Sequence, residues 1–325
     1  VTDLIEAAER ALRQWDLGPA SVEPVSRSEN IVFRVDAVDG HKYVLRMHRP
    51  GYHSYDGLVS EQLWTAALTR FGVDVPVPRA TRAGEPYGQI QVEGETRYAG
   101  VLEWVDGMPM GDLVEASEDS AQQAAQFTAL GELLARLHAQ AASWQIPANF
   151  SRHALDADGL MGEAPFWGPF WRARALTEDQ KRFFSALRQE IQTILRRLPK
   201  DPNQYSLIHA DLHPGNVVVN GERLHVIDFD DAAFGWHIYD FAVALKNYEG
   251  DPEFSTYQTA LISGYRRQRQ IDDEALALIP LFLLIRALNS IGWADARPEL
   301  GHPEYGPGLA KYVEERAESV LSALG

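Results

Sequence analysis

The chain has 325 residues, no cysteine, and 30 Lys and Arg against 46 Asp and Glu, for a formal charge of −16. At roughly 150 residues per domain that length predicts two domains with ample core, and a composition 45% hydrophobic and 23% charged argues against disorder. Disulfide frameworks, thiolate zinc sites and cysteine nucleophiles are excluded, and the acidic balance opposes nucleic acid and anionic membranes, which require a basic face.

The longest nearly apolar run, 275–285, has 11 residues and contains Pro280, short of the roughly 20 apolar residues of a membrane span. No transmembrane helix is therefore expected. The first residues, with Glu6 and Glu9, lack the basic and apolar regions of a signal peptide, so the expectation is a cytoplasmic protein.

In chain order, Leu4, Ala8, Ala11, Leu12 and Trp15 predict an amphipathic first helix. Two β-type runs, 31–35 and 43–47, flank Asp39-Gly40 and predict a hairpin. A helix over 58–71 ends at Gly72, and a strand over 98–105 stops at Asp106-Gly107, where the first domain ends. The division is therefore 1–103 and 104–325. Beyond it helices dominate: 121–142, then one opened by the capping box Thr177-Glu178-Asp179-Gln180 and reaching Leu198, then two more after Pro252 and Asp272. Charge is uneven, with 11 basic and 15 acidic residues in 1–103 and 19 and 31 in the remainder.

One β-rich island, 207–228, interrupts the helices. It reads His209-Ala-Asp211-Leu-His213-Pro-Gly-Asn216, three valines, Asn220-Gly221, then a second apolar run ending at Asp228. The Asn-Gly turn predicts a hairpin that brings Asn216 and Asp228 to one open end. Hard oxygen ligands of this kind suit magnesium, which binds through one or two protein groups plus substrate phosphates. Asp211 could serve beside it as a base.

Asp, Asn five residues later and Asp twelve further on, across a hairpin, match the catalytic loop and metal-binding Asp of protein kinases. His209 to Asn216, with Ile227-Asp228-Phe229-Asp230, resembles the signature of the aminoglycoside phosphotransferase and choline kinase family, which shares the protein-kinase-like fold. Trp236-His237-Ile238-Tyr239-Asp240-Phe241-Ala242 extends the resemblance. Ser28-Glu29-Asn30-Ile31-Val32-Phe33 with Tyr43-Val44-Leu45-Arg46 resembles more narrowly the branch of stress response kinase A and type II homoserine kinases.

The resemblance implies an α+β, two-lobed fold, with an antiparallel sheet plus helix in the small lobe and a larger, mainly helical lobe. It implies an ATP- and magnesium-dependent phosphotransferase in which Asp211 orients or deprotonates the acceptor hydroxyl, and Asn216 and Asp228 hold magnesium. Arg46, where relatives usually carry Lys, would pair with the phosphates and be fixed by Glu61. Arg keeps the charge but replaces a compact ammonium with a planar fork. The usual glycine-rich loop is missing, since 26–30 contains no glycine, and Ser28 with nearby backbone amides would cover the phosphates instead. The main chain of Glu103 and Val105 would meet the adenine edge.

The acceptor stays open between a small molecule (amino alcohol, homoserine-like or aminoglycoside-like) and a protein Ser or Thr, and the oligomeric state is not predicted. Two other readings of the island compete: a metallohydrolase using His209, Asp211 and His213 on one strand face, and a catalytically silent nucleotide-binding scaffold. Asp240 could either cap a helix or brace the catalytic loop. Asp230 and Asp231 lie near the acceptor or are solvated, and His138 reads as a satisfied core histidine.

Overall fold

The structure, a computed structural model, describes residues 2–28, 30–300 and 305–324. It divides into two compact units, the first comprising Val1–Met108, Gln145–Ser151 and Val218–Ile227, the second Pro109–Trp144, Arg152–Val217 and Asp228–Gly325.

In the first unit, α1 (Thr2–Leu12) precedes β1 (Ala20–Arg27), β2 (Ile31–Ala37), β3 (Lys42–Met47), α2 (Tyr55–Phe71), β4 (Pro78–Arg79), β5 (Gly88–Val92) and β6 (Glu95–Glu103). The strands form a sheet ordered β1-β2-β3-β6-β4, with β5 on β6. The pairings recorded between β1, β2, β3 and β6 are antiparallel. Strand β2 alternates buried and half-buried positions along its length, so one face joins the core. There Phe33, Val35, Leu45, Met47, Ala99 and Val101 pack with Ala7, Ala8, Ala11 and Trp15. Helix α2 starts on Ser54, whose hydroxyl accepts the Gly57 N–H, and stops at Gly72 with φ of 92°, a left-handed cap that favours glycine.

The two-residue β7 (Met108–Pro109) straddles the change to the second unit. That unit carries α3 (Met110–Ala116), α4 (Ser120–Ser143), β8 (Ala154–Leu155), α5 (Ala157–Met161), α6 (Glu178–Leu195) and β9 (Tyr205–Ile208). The hairpin β10 (Val217–Asn220) and β11 (Arg223–Val226) follows, and the unit resumes with β12 (Ala233–Trp236), α7 (His237–Lys246), α8 (Phe254–Gln268), α9 (Asp273–Leu276), α10 (Ile279–Asp295) and α11 (Tyr305–Ser322). Helices α4 and α8 pack closely because Gly131 and Gly264 each meet a backbone carbonyl, of Leu261 and Thr128, where any Cβ would collide. Strand β12 lies parallel to β8 and antiparallel to β9.

The capping box at Thr177 and Gln180 is present. The first unit differs from the single cut expected at residue 103: it runs to Met108 and takes in two later segments. Hydrogen bonds that skip along the chain explain this. Ser151 N–H donates to Ser60 Oγ at 2.7 Å. Arg223 clasps the Asp74 carboxylate at 3.0 and 2.5 Å, and Val226 N–H donates to the Asp74 carbonyl at 2.9 Å.

The stretch Asp273–Asp295 is, by length and composition alone, apolar enough to cross a membrane, although the run 275–285 read from the sequence is shorter than a span. In the fold α10 is a core helix, packed against α7 and α11.

Candidate active site

Past β9 the chain leaves the sheet at His209, whose ring is buried 4.6 Å from Phe229. Ala210 then adopts φ of 65°, and Asp228 φ of 62°. Of the three non-glycine residues with positive φ among those described, two therefore lie in the island singled out from sequence. Such conformations cost on the order of 1–3 kcal/mol each and persist only where surrounding contacts enforce them.

Asp240 enforces the first. Its enclosed carboxylate, in the first turn of α7, accepts the N–H of His209 at 3.1 Å and of Ala210 at 2.8 Å. Helix α7 has Trp236 at its N-cap and no side-chain cap, so Asp240 braces the loop at His209 and Ala210 rather than capping the helix. Behind it, His138 Nε2 lies 3.1 Å from Asp240 Oδ2 and Nδ1 lies 3.0 Å from the Tyr265 hydroxyl. Burial holds His138 well below its ordinary 6.5. The neutral tautomer that donates to Asp240 and accepts from Tyr265 satisfies both contacts, as expected for a satisfied core histidine. Burial also pushes Asp240 up to about 6, against the hydrogen bonds and charges that favour its ionised form.

Asp211 follows immediately. Asn216 Nδ2 donates to the Asp211 carbonyl at 2.9 Å and to Asp211 Oδ2 at 3.2 Å. The amide thus uses its donor end on Asp211, which leaves its Oδ1 end as the one chemically suited to a hard cation. His213 opens the short turn Pro214–Asn216 by accepting the Gly215 N–H at 3.1 Å. The hairpin then returns the chain to Asp228, which is exposed. Arg152 clamps the loop after it, donating to the carbonyls of Ala232, Phe229 and Asp230 at 2.6, 2.9 and 2.5 Å. Among the described residues no group of three or more His, Asp or Glu could hold a metal by itself. An amide oxygen and one carboxylate fit magnesium, which takes its remaining ligands from water and phosphate.

This geometry corrects the metallohydrolase reading. Residues 209–213 do not form a strand, so alternate side chains share no face. His209 Nδ1 accepts the Asp211 N–H at 3.3 Å, and His213 Nδ1 is engaged as described.

In the first unit, Arg46 on β3 and Glu61 on α2 form an ion pair, with their side chains 8% and 7% exposed. The pairing expected from sequence is thus present. Ser28 is exposed beyond β1, its N–H donating to the Asn30 carbonyl at 3.0 Å; Glu29, in the same motif, lies outside the described residues. Glu103 ends β6 with its N–H donated to Val77 at 2.8 Å, and Val105 lies in the irregular segment that follows.

Sequence reasoning missed Arg286 and Arg152. Arg286 projects from α10, and its Nη2 donates to Asp211 Oδ1 at 2.5 Å. Burial alone would discharge it, but the Tyr239 hydroxyl and the carboxylates of Asp211 and Asp231 prevail and hold its pKa above the ordinary value. The available signal was a lone cation directly after the apolar run 275–285, since such a charge in a core helix requires a partner. Arg152 carried no comparable pattern.

A carboxylate oriented by an Asn, followed across a hairpin by a second carboxylate, is the order of groups found in phosphoryl-transfer enzymes of the kinase type. A family model described as the phosphotransferase enzyme family matches residues 21–279, and the chain belongs to that family. It is 25% identical over 301 residues to the amicoumacin kinase of Bacillus subtilis strain 168, covering 89% of this chain and 83% of that one. It is 28% identical over 234 residues to the homoserine kinase of Parvibaculum lavamentivorans, covering 68% and 65% respectively. A solved microcompartment-associated aminopropanol kinase superposes with a TM-score of 0.82 at 29% identity, over 97% of this chain and 98% of that one. The chain is thus a phosphotransferase, as its sequence resemblance implied.

Proposed function

We propose that the chain moves the γ-phosphoryl group of ATP to a hydroxyl of a small molecule that also carries an amine. The observation carrying this reading is the double hydrogen bond from Asn216 to the carbonyl and carboxylate of Asp211, which orients the carboxylate and sets aside the amide oxygen. Asp211 accepts the acceptor hydroxyl's hydrogen bond and holds its oxygen in line with the γ-phosphorus. Transfer of this kind depends mainly on positioning and charge neutralisation. Asn216 and Asp228 are the residues that would hold magnesium, which supplies neutralisation of phosphate charge when bound.

In the first unit, Arg46, fixed by Glu61, is assigned to the nucleotide phosphates, with Ser28 and its neighbouring amides assisting. The main chain of Glu103 and Val105 is assigned to the adenine edge. An amine-bearing acceptor is supported by the excess of acidic residues beyond position 103 and by relatives named for amicoumacin, homoserine and aminopropanol.

The test is a phosphorylation screen with labelled ATP across amino alcohols, homoserine, aminoglycosides and generic protein substrates. The proposal expects label on an amine-bearing small molecule, with an apparent affinity that weakens as ionic strength rises. Label only on protein serine or threonine would favour the stress-kinase alternative, and nucleotide binding without any turnover would favour the silent scaffold.

A further inference from the structure

The Asp211 carboxylate is held on both sides, by Asn216 at Oδ2 and by Arg286 at Oδ1, 75 residues away in sequence. The guanidinium is itself enclosed. Its side chain is 20% exposed; it lies 5.7 Å from the Trp167 ring centre and hydrogen-bonds the Tyr239 hydroxyl, which also accepts from Asn289 Nδ2 at 3.4 Å. Trp167 and Tyr239 are buried and stack with ring centres 6.1 Å apart. These contacts leave the guanidinium little freedom to reorient. Arg286 also faces the Asp231 carboxylate, so acidic neighbours already answer its charge.

We infer that Arg286 is a positioning residue for phosphoryl transfer: it locks the rotation of the Asp211 carboxylate so that the acceptor hydroxyl can approach along only the remaining lone pairs. This rests on the role of Asp211 proposed above. A carboxylate clamped by a guanidinium is a rigid hydrogen-bond acceptor. That rigidity suits a loose transition state, in which the attacking oxygen needs orientation before it needs deprotonation. The same clamp explains why a charged residue directly follows the apolar first turns of α10. It also means that Arg286 is not a receptor for an anionic group of the acceptor, since Asp211 and Asp231 occupy its field.

The test combines structure with kinetics. In crystal structures of the intact protein, Arg286→Met should let the Asp211 carboxylate rotate or disorder, whereas Arg286→Lys should hold it partly. An Asp211 carboxylate unchanged in Arg286→Met would overturn the inference, whatever the activity. In steady-state ATP turnover with 1-amino-2-propanol, homoserine or water as acceptor, Arg286→Met should lower kcat about 100-fold, the scale of a small misplacement, with KM for ATP within about twofold. Because both residues act as one unit, Asp211→Asn/Arg286→Met should be no slower than Asp211→Asn. Independent, multiplying losses, or a rise confined to KM for the carboxylate-bearing homoserine, would contradict it. Full activity in Asp211→Asn would instead refute the role of Asp211, leaving the structural arm to judge the clamp.

Discussion

The carboxylate of Asp240 receives the backbone N–H of Ala210 at 2.8 Å, and Ala210 stands at φ of 65°. A left-handed alanine beside the proposed catalytic Asp211 is thus held by a side chain 30 residues later in the chain. Asparagine at 240 offers one carbonyl oxygen where two amides now bind two carboxylate oxygens. Asp240→Asn should therefore lower kcat by about 100-fold, the cost typical of a small displacement of catalytic groups, while secondary structure by circular dichroism stays unchanged. Full activity in this variant would show that the loop holds its shape unaided.

Stability should depend on pH through the group behind that brace. Burial keeps His138 and His237 well below their ordinary 6.5, with Arg269 acting in the same direction. The unfolded chain takes up protons there as pH falls through 6.5 and the folded chain does not, so their contribution is complete above 6.5 and is lost on acidification. Asp240, raised from 3.8 to about 6, acts oppositely, because the folded state binds its proton first. Two imidazoles outweigh one carboxyl, so urea denaturation should give a lower unfolding free energy at pH 5 than at pH 7, by about 1–2 kcal/mol. His237→Gln, which can keep the contact with Ser206 seen at 2.8 Å, should flatten that slope. An unchanged slope would contradict the assignment.

The buried pair Arg46 and Glu61 makes a prediction about stability. Removing the Glu61 carboxylate takes an ion-pair partner from a guanidinium whose side chain is 8% exposed, so Glu61→Ala should destabilise by about 3 kcal/mol. The double variant Arg46→Met/Glu61→Leu should recover much of that loss, because neither charge is then buried. Chemical denaturation of the three proteins checks this, and additive losses would contradict it.

Arg152 holds the loop after Asp228 through three carbonyls. Arg152→Met should free that loop and raise the magnesium needed for half-maximal turnover about 10-fold, the usual scale for residues that orient a metal ligand. KM for the acceptor should change far less. A magnesium dependence identical to that of the parent protein would refute the link.

What the sequence revealed and what it hid follow from chain distance. Asp211, Asn216 and Asp228 lie within one loop and one hairpin, so their spacing alone is informative. The hairpin of this island turns beside Asn220-Gly221, with Gly221 at φ of 60°, close to where the dipeptide predicts, and the capping box at Thr177 is likewise a four-residue signal. Arg286 and Arg152 reach the site from 75 and about 80 residues away, and no periodicity reports such contacts. Strand β1 escaped because its side chains are mostly exposed and its register shifts between Pro24 and Ser26, which removes the alternation that marks a strand. Helix α11 was not anticipated, although Ala310, Val313 and Ala317 are buried at helical spacing. The first unit's later segments were hidden for the same reason as Arg286: Asp74 and Arg223 are 149 residues apart.

The most direct test of the account is calorimetric titration with AMP-PNP and magnesium, run beside ATP turnover, on the parent protein, Asp211→Asn and Asp228→Asn. Asp211→Asn should bind the nucleotide as the parent does and turn over at least about 1,000-fold more slowly, whereas Asp228→Asn should lose the magnesium-dependent part of nucleotide binding as well as turnover. Full turnover in both variants, or no nucleotide binding by the parent protein, would contradict the account.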